Sequence, residues 1–497
     1  MPVNSNHPDY DVSAADWLRA RDVLAGEDAV KAGGEKYLPR LDSQTDEEFA
    51  AYVNRASFFN ATARTSEAYQ GLIFRRPPFV KLPEGGSGLG RAMEEFANDA
   101  DMLGTSLTAY AKMVVGDVIG LGRAGTLVDW ESEAEQRAYA VFYRAEQIIN
   151  WRVERVNGRS VPTLVVLREV AEGASGSGQD DFEASPVEQI RVLRLLVGNE
   201  GDVFCRVEVW QEKERPWSAW AGLRRAKKEW VLVESRLPRR LGRPLPLIPF
   251  VFHGPRHSRP DVDRGPLEDI VAVNLDHYRL DADFKHGLHF TALPTAWVSG
   301  FDKGASLRIG SSSAWVSETP GATAGFLEFT GQGLTTFERA MDRDERLMTV
   351  LGSRMLEEAK RVGETATAIE LRQSGEYSIL GGVAFSVSES LTQVLRWVYW
   401  WNSTEELPDD VSDTQVLMQL NTDFSTKGLA SQDVQAIVAA WQAGAISQDT
   451  MHELFRRGEV LPEGRTNSEE AALIKRDERE RVAQEALAPA HGAAEQV

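Results

Sequence analysis

The run from Gly363 to Asn402, GETATAIELRQSGEYSILGGVAFSVSESLTQVLRWVYWWN, constrains this chain more than any other stretch. Thr367 followed by Glu370 is a capping-box pattern. Leu380, Ala384, Val387, Leu391, Val394, Val398 and Trp401 then recur at three- and four-residue steps, the repeat of an amphipathic helix. Read as one helix, the run would be roughly 60 Å long, about twice the width of a small domain, so one compact core does not cover it. It needs neighbours along its whole length. A bilayer is not that neighbour, because Glu370, Arg372, Glu376, Glu389 and Arg396 interrupt every window long enough to span one. Gly375, Gly381 and Gly382 break the pattern where a coiled-coil heptad would continue, and glycines inside a helix invite a bend. On residues alone, the favoured reading is a central buried helix of a large globular protein.

A chain of 497 residues has room for two to four domains with ample core. Its formal charge of -20 argues against a broad basic face that grips nucleic acid by neutralising phosphates. The one cysteine, Cys205, allows neither an intrachain disulfide nor a cysteine-based metal site. The opening MPVNSNHPDYD lacks the basic-then-apolar pattern of a secretory signal, so the expectation is a protein made and kept inside a cell.

Taken in order, the pattern is α+β. Ser13 to about Arg75 is helical, closed by Arg75-Arg76-Pro77-Pro78, and Leu89 to Asp99 and Thr105 to Val118 form a second helical pair. TLVDW, YAVFYR, SVPTLVVLREV, QIRVLRLLV and VFCRVEVWQ, between Thr126 and Gln211, read as antiparallel strands. Pro244 to Phe250 reads as an extended connector. Pro266, at a first helical position, opens a long helix reaching about Phe290. TAWVS, ASLRI, SAWVS and GFLEF are four short strands of a small β-module, and Thr335 with Glu338 caps a returning helix that carries Phe337, Met341, Met348, Leu351 and Met355 on one face. TQVLMQLNTDF is strand-like. Ser431 to Ala443 and Ser447 to Arg457 form a capped helical pair, and the alanine-rich, charge-dense tail follows.

Motifs that would carry chemistry are weak. Gly120-Leu121-Gly122-Arg123-Ala124-Gly125 matches a dinucleotide-binding pattern by letter, but it follows a helix and precedes a strand, which reads as a turn. Asp283, His286 and His289, or His257 with Asp261 and Asp263, can be drawn as metal ligands; a one-helix i, i+3, i+6 set drifts round the axis, and hydrogen-bonded or solvated side chains are the better reading. No catalytic residue, metal or cofactor is expected. Arg224, Arg225, Lys227 and Lys228, with Arg239, Arg240 and Arg243, could face acidic surfaces of another subunit or form an ordinary solvated loop. Lys360 and Arg361 sit where a helix ends, a place that favours cations. Trp297, Phe301 and Trp315 belong to a module too small to bury several large aromatics, which points to contact with another chain.

The order of parts resembles the portal proteins of tailed bacteriophages, with DHYRLDADFKHGLHFTALPTAWVSG and GETATAIELR looking most like family sequence. The resemblance implies a wing over 1–265, a stem helix over 266–292, a β clip over 293–332, a return stem helix over 333–357 and a tunnel loop over 358–365. It further implies a long kinked helix with a returning wing strand over 366–427, crown helices over 428–462 and a tail over 463–497. By position, Lys360, Arg361, Val362 and Gly363 become tunnel-loop residues that touch DNA; Gly375, Gly381 and Gly382 become hinges; Trp297, Phe301 and Trp315 become a clip interface. The implied assembly is a ring of about twelve subunits at one vertex of the capsid in the virion, built in the bacterial cytoplasm. Its implied partners are terminase, capsid and scaffolding proteins, neck and tail adaptors, and double-stranded DNA passing without sequence specificity, with no membrane. The alternatives from other classes are an intracellular nucleotide- or metal-dependent enzyme and a monomeric scaffold.

Overall fold

The structure, a computed structural model, describes residues 2–84, 86–130, 136–156, 158–172, 186–198, 202–214, 228–292, 295–301, 315–327, 333–355, 378–404, 415–422, 424, 431–458, 460–461 and 466–487. The chain forms two compact units, Met1–Phe74 with Pro78–Thr422, and Arg75–Pro77 with Asp423–Val497.

The first unit opens on α1 (Pro8–Ala25), α2 (Glu27–Ala32), α3 (Asp46–Arg55) and α4 (Ala61–Ile73). Local sequence sets three of these starts. His7 accepts from the Asp9 N–H with Pro8 at the first position of α1, Thr45 and Glu48 form a reciprocal capping box on α3, and Asn60 accepts from the Ala63 N–H on α4. After β1 (Phe79–Lys81) come α5 (Gly88–Asn98) and α6 (Leu107–Leu121), capped by Ser87 and Ser106. Strands then follow: β2 (Ala124–Trp130), β3 (Ala138–Arg144), β4 (Ile148–Val156), β5 (Arg159–Glu172), β6 (Pro186–Val197), β7 (Val203–Glu214), β8 (Lys228–Arg236), the short pair β9 (Arg239–Arg240) and β10 (Arg243–Pro244), and β11 (Phe250–His253).

These strands make two antiparallel sheets of different character. β4 to β8 run as a meander in sequence order. β2 lies between β3 and β11, with Thr126 opposite both Phe142 and Val251, and it is buried from Ala124 to Asp129 because both faces are covered. All five strand-like runs before Gln211 are strands. β4 and β8 were not expected, and the end of the supposed connector at Phe250 is the first residue of β11. Their alternation is broken by charged residues such as Arg152 and Glu234, which face outward on the exposed parts of the meander.

The rest of the unit is α7 (Glu268–Ala292), β12 (Thr295–Ser299), β13 (Thr323–Leu327), α8 (Leu334–Arg354), α9 (Ile379–Asn402) and β14 (Leu417–Gln419), which pairs with β1. α9 is the centre of the core: it packs against α5, α6, β2, β3, β11 and β14, and Leu380, Ala384, Val387, Leu391, Val394 and Val398 are fully buried. Its buried hydroxyls work in two i, i+4 pairs on opposite flanks. On one flank Ser386 donates to Gly254 O at 2.9 Å and Ser390 meets His253 Nδ1 at 2.7 Å, holding β11 and the residue after it. On the other, Thr392 both accepts from Met418 N–H (3.0 Å) and donates to Met418 O (3.1 Å), while Ser388 accepts from Leu420 N–H (2.9 Å). A helix thereby satisfies the strand edge that a further strand would otherwise have to pair.

The expectation of a single helix from Gly363 is corrected here. The described helix starts at Ile379, because the Ser378 hydroxyl accepts from the Gly381 N–H and closes the first turn. Gly381 and Gly382 therefore sit in that first turn rather than in a helix interior, where glycine would invite a kink. Gly375 and the Thr367–Glu370 pattern lie outside the described residues.

The second unit holds α10 (Ser431–Gln442), α11 (Gln448–Arg457) and α12 (Asn467–Leu487). Ser447 caps α11, accepting from the Thr450 N–H, Gly444 adopts φ +71°, and Gly458 ends α11 as its sequence position predicts. Ser431 is the first helical residue of α10 rather than the residue before it. The tail beyond Glu463 is helical over α12.

Candidate functional site

The helical hairpin α7–α8, with the ribbon β12–β13 between them, leaves Leu288, Trp297, Val316, Phe326, Leu347 and Val350 exposed. Acidic Glu268 and Asp269 occupy the first turn of α7, where Arg264 reaches both at 2.7 and 2.6 Å. Pro266 stands two residues before the helix, not at its first position. The proximal half of α7 is core: Leu267, Ile270, Val271, Leu275, Tyr278 and Ala282 are buried. Buried Asn274 accepts from the Thr62 N–H and hydroxyl and donates to Phe59 O at 2.7 Å, tying α7 to α4. Further along, Asp281 accepts from Ser57 N–H at 2.7 Å and Asp283 from the Tyr52 hydroxyl at 2.5 Å, which holds α3 and the loop after it. By Leu288 and His289 the helix is exposed.

α8 returns antiparallel to α7. Gly287 lets the two helices approach, since a Cβ there would lie 2.8 Å from Leu334. His277 lies 3.6 Å from Glu345, and burial between the helices, with Asp276 adding to it, raises the Asp344 carboxyl above its ordinary range. Met348 and Met355 are buried and Phe337, Met341 and Leu351 half-buried, so the apolar face read from the sequence is the packed one. The Thr335–Glu338 box is not the start of the helix: α8 begins at Leu334 after Gly333, with no side-chain cap, which leaves Thr335 inside the first turn.

The ribbon pairs Thr295 to Ser299 with Leu327 to Thr323, Trp297 opposite Gly325. A Cβ at Gly325 would lie 3.0 Å from the Trp297 indole nitrogen, so the ring crosses the bare glycine. Trp297 remains 46% exposed, Phe326 54% and Val316 81%, an apolar surface that two strands cannot bury. Phe301 and Trp315 are half-buried, and the Trp315 ring lies 6.4 Å from that of Phe326. Of the four strands expected, TAWVS and the start of GFLEF are found. ASLRI lies outside the described residues, and Trp315 to Ser317 are not in a strand.

The far end of α8 returns to the body. Tyr69 donates to Gly352 O at 2.6 Å, and Leu380 N–H donates to Met355 O at 3.1 Å, so the end of α8 and the start of α9 lie side by side. Lys360, Arg361, Val362 and Gly363 fall between them in the sequence, outside the described residues.

The other sequence candidates resolve into structure. Gly122 (φ +80°) ends α6, and a Cβ there would lie 2.6 Å from Asp263 O, so the glycine pattern is a tight helix-to-strand turn. Asp283 is taken by Tyr52, and the His286 ring meets Tyr52 edge-on at 5.2 Å; burial, with Arg55 adding to it, lowers the His286 pKa. His257 lies 3.8 Å from Asp263, while Asp261 faces Arg259. Among the described residues no group of three or more His, Cys, Asp or Glu could hold a metal ion. A cleft of about 270 Å³ is lined by Asp16, Trp17, Asp263 and Glu268 among others, and its Asp16 and Glu268 are both paired with Arg19. In the basic cluster, Lys228 pairs with Glu212, Arg239 and Arg243 are exposed, and Arg224, Arg225 and Lys227 lie outside the described residues. Arg240 does not face outward. It is buried under the end of α9 and donates to Trp400 O at 2.6 Å and Ser403 O at 2.7 Å. No described helix is long and apolar enough to cross a membrane.

One family model falls on the same segment. A domain of unknown function, DUF4055, matches residues 266–402, which run from Pro266 just ahead of α7 through the ribbon and α8 to the last residue of α9. No curated protein matches the chain. Similar solved structures include a chain of the virion of a native gene transfer agent (GTA) particle, at 11% identity and TM-score 0.34, covering 88% of this chain and 99% of that one. Another is a chain from the neck of the native GTA particle computed with C12 symmetry, at 10% identity and TM-score 0.33, covering 79% and 89%. A third, from the neck of the empty particle computed with C6 symmetry, has 10% identity and TM-score 0.32 and covers 79% and 88%. Likeness at this level names neighbours and carries no argument about function.

Proposed function

We propose that this chain is a portal protein of the tailed-bacteriophage type, a subunit of a ring at one capsid vertex through which DNA is packaged and released. The observation that carries the proposal is the hairpin: its root is core, its outer face is exposed, its tip is a ribbon with bare aromatics, and the chain then re-enters the body as the buried helix α9. Such a unit has surface that only other chains can cover. In this reading α7 and α8 are the stem, with neighbours supplied by adjacent subunits in a closed head-to-tail cycle. The ribbon with Trp297, Phe301 and Trp315 is the clip that meets terminase and, later, neck or tail adaptors. A net charge of -20 suits a conduit for DNA, because like charge keeps the duplex from sticking. The chain contributes no catalytic group and no cofactor.

The test is mass. The purified chain of 55.1 kDa should give rings of about twelve copies by native mass spectrometry, with a central hole in negative-stain images. A stable monomer under all conditions would return the enzyme and scaffold readings to equal standing.

By their sequence position Lys360 and Arg361 are the proposed phosphate contacts, with Gly375, Gly381 and Gly382 as the proposed hinge positions. Replacing both bases with alanine should alter packaging in a defined in vitro assay and leave ring mass unchanged. Normal packaging by the double variant would count against the contact.

A further inference from the structure

α8 has two unlike faces. Opposite the side that packs on α7 stand Arg339, Arg343, Arg346, Val350 and Arg354, at steps of four, three, four and four, and all five are exposed. None of the four arginines is ion-paired among the described residues; the ion pair of α8 is Glu345 with His277. Arg339 with Arg343, and Arg343 with Arg346, are like charges at i, i+4 and i, i+3, an arrangement that weakens an isolated helix. Asp342, exposed at three residues from Arg339 and four from Arg346, and Asp344 beside Arg343 offset part of this repulsion. Leu347 and Val350, 38% and 43% exposed, lie beside and within the stripe, which fits a protein partner better than a phosphate backbone.

The opposite charge lies across α7. Asp281, Asp283, Lys285 and His286 of α7 meet α3 and its following loop, and His277 meets both Phe59 of that loop and Glu345 of α8, so the acidic start of α3 and the outer face of α8 are separate surfaces beside α7. The first turn of α3 is acidic: Asp46, Glu47 and Glu48 are exposed, with Asp42 just before them; Asp46 is paired with Arg40 at 2.9 Å and Glu48 closes the capping box with Thr45, while Asp42 and Glu47 have no ion-pair partner among the described residues. A head-to-tail ring joins two different surfaces of the same chain, and these two carry opposite charge.

We propose that the arginine face of α8 is a subunit-contact surface, and that its occupant is the acidic segment Asp42–Glu47 at the start of α3 in a second copy of this chain. The proposal rests on the ring reading above and adds the surface that closes the ring. Charge complementarity of this kind sets partner orientation and register. In the full-length protein, the triple reversal Arg339→Glu, Arg343→Glu, Arg346→Glu should raise the concentration needed for assembly by about tenfold or more. The reversal Asp46→Lys with Glu47→Lys should do the same, and a chain carrying both sets should assemble again. Arg339→Gln with Arg343→Gln, which keeps helix propensity, should shift assembly in the same direction by less, and covers the case in which the triple variant fails to fold.

Sedimentation velocity and native mass spectrometry read all four. Rings unaffected by either arginine variant overturn this interface and leave the ring reading intact. Weakening by the arginine variants without rescue by the α3 reversal overturns the pairing. Rings of unchanged mass that lose affinity for duplex DNA would assign the stripe to DNA and overturn the proposal equally. A wild-type chain that stays monomeric at every concentration overturns this proposal and leaves the ring reading level with the enzyme and scaffold readings.

Discussion

Replacing Arg240 by methionine is expected to lower the stability of the first unit by about 3–5 kcal/mol, although the side chain lies in a stretch rich in arginines that reads as solvent-facing. The last carbonyls of any helix have no partner within it. In α9 that end is buried among Trp400 and Trp401, where water does not serve them. Arg240 supplies both donors, Nε to Trp400 O and a terminal nitrogen to Ser403 O, with its guanidinium 4.6 Å from the centre of the Trp400 ring. Methionine has similar length and no donor, so it removes both hydrogen bonds, about 1–2 kcal/mol each, and forfeits the ring contact, about another 1 kcal/mol. Lysine keeps the charge but lacks the planar fork that reaches both acceptors, so Arg240→Lys should lose about half as much. Urea unfolding followed by tryptophan fluorescence reads the change where it occurs. A methionine variant with the wild-type midpoint would show that the cap holds nothing.

His253 should make the protein acid-sensitive in a window that one substitution removes. Ser390 donates its proton to Val387 O at 2.9 Å, so toward His253 it can only accept, which places the imidazole proton on Nδ1. Nε2 therefore accepts from Thr126 Oγ1 at 2.7 Å, and the Thr126 oxygen takes the Tyr110 hydroxyl at 2.9 Å. Every proton in this buried chain has one place to go, and a second proton on the ring would leave the Thr126 hydroxyl without an acceptor. Burial accordingly lowers the His253 pKa to about 3. In the unfolded chain the same group takes a proton near pH 6.5, so between pH 6.5 and 3 the unfolded state holds more protons and stability falls as pH falls. The slope approaches 1.4 kcal/mol per pH unit, so this one residue removes about 2–3 kcal/mol between pH 6.5 and 4.5. His253→Gln should be less stable than wild type at pH 7, and the gap should narrow by that amount at pH 4.5. A gap that does not change with pH would exclude a neutral, buried His253.

The helix and strand positions were largely legible because they rest on local physics. Ser447 caps α11 where the sequence places it, Thr335 and Ser431 fall just inside the helices whose caps the sequence makes them, and the apolar period of α8 and α9 is the face that is buried. The hydroxyls of SVSESLT were visible as well, but a serine every second residue on a helix carries no message until two different strands stand on its two flanks. Local reading also overran the start of α9, since a capping pattern at Thr367 and one at Ser378 look alike in sequence.

By itself, then, the sequence determined where elements form and that the hairpin and α9 carry more apolar and charged surface than one small core uses, because period, caps and composition act over a few residues. Only the tertiary structure decided which polar group meets which. Arg240 and His253 find their partners 160 and 137 residues away, and the energy of a buried charge or imidazole is set by those partners and by the exclusion of water, neither of which is written in the spacing of neighbours along the chain.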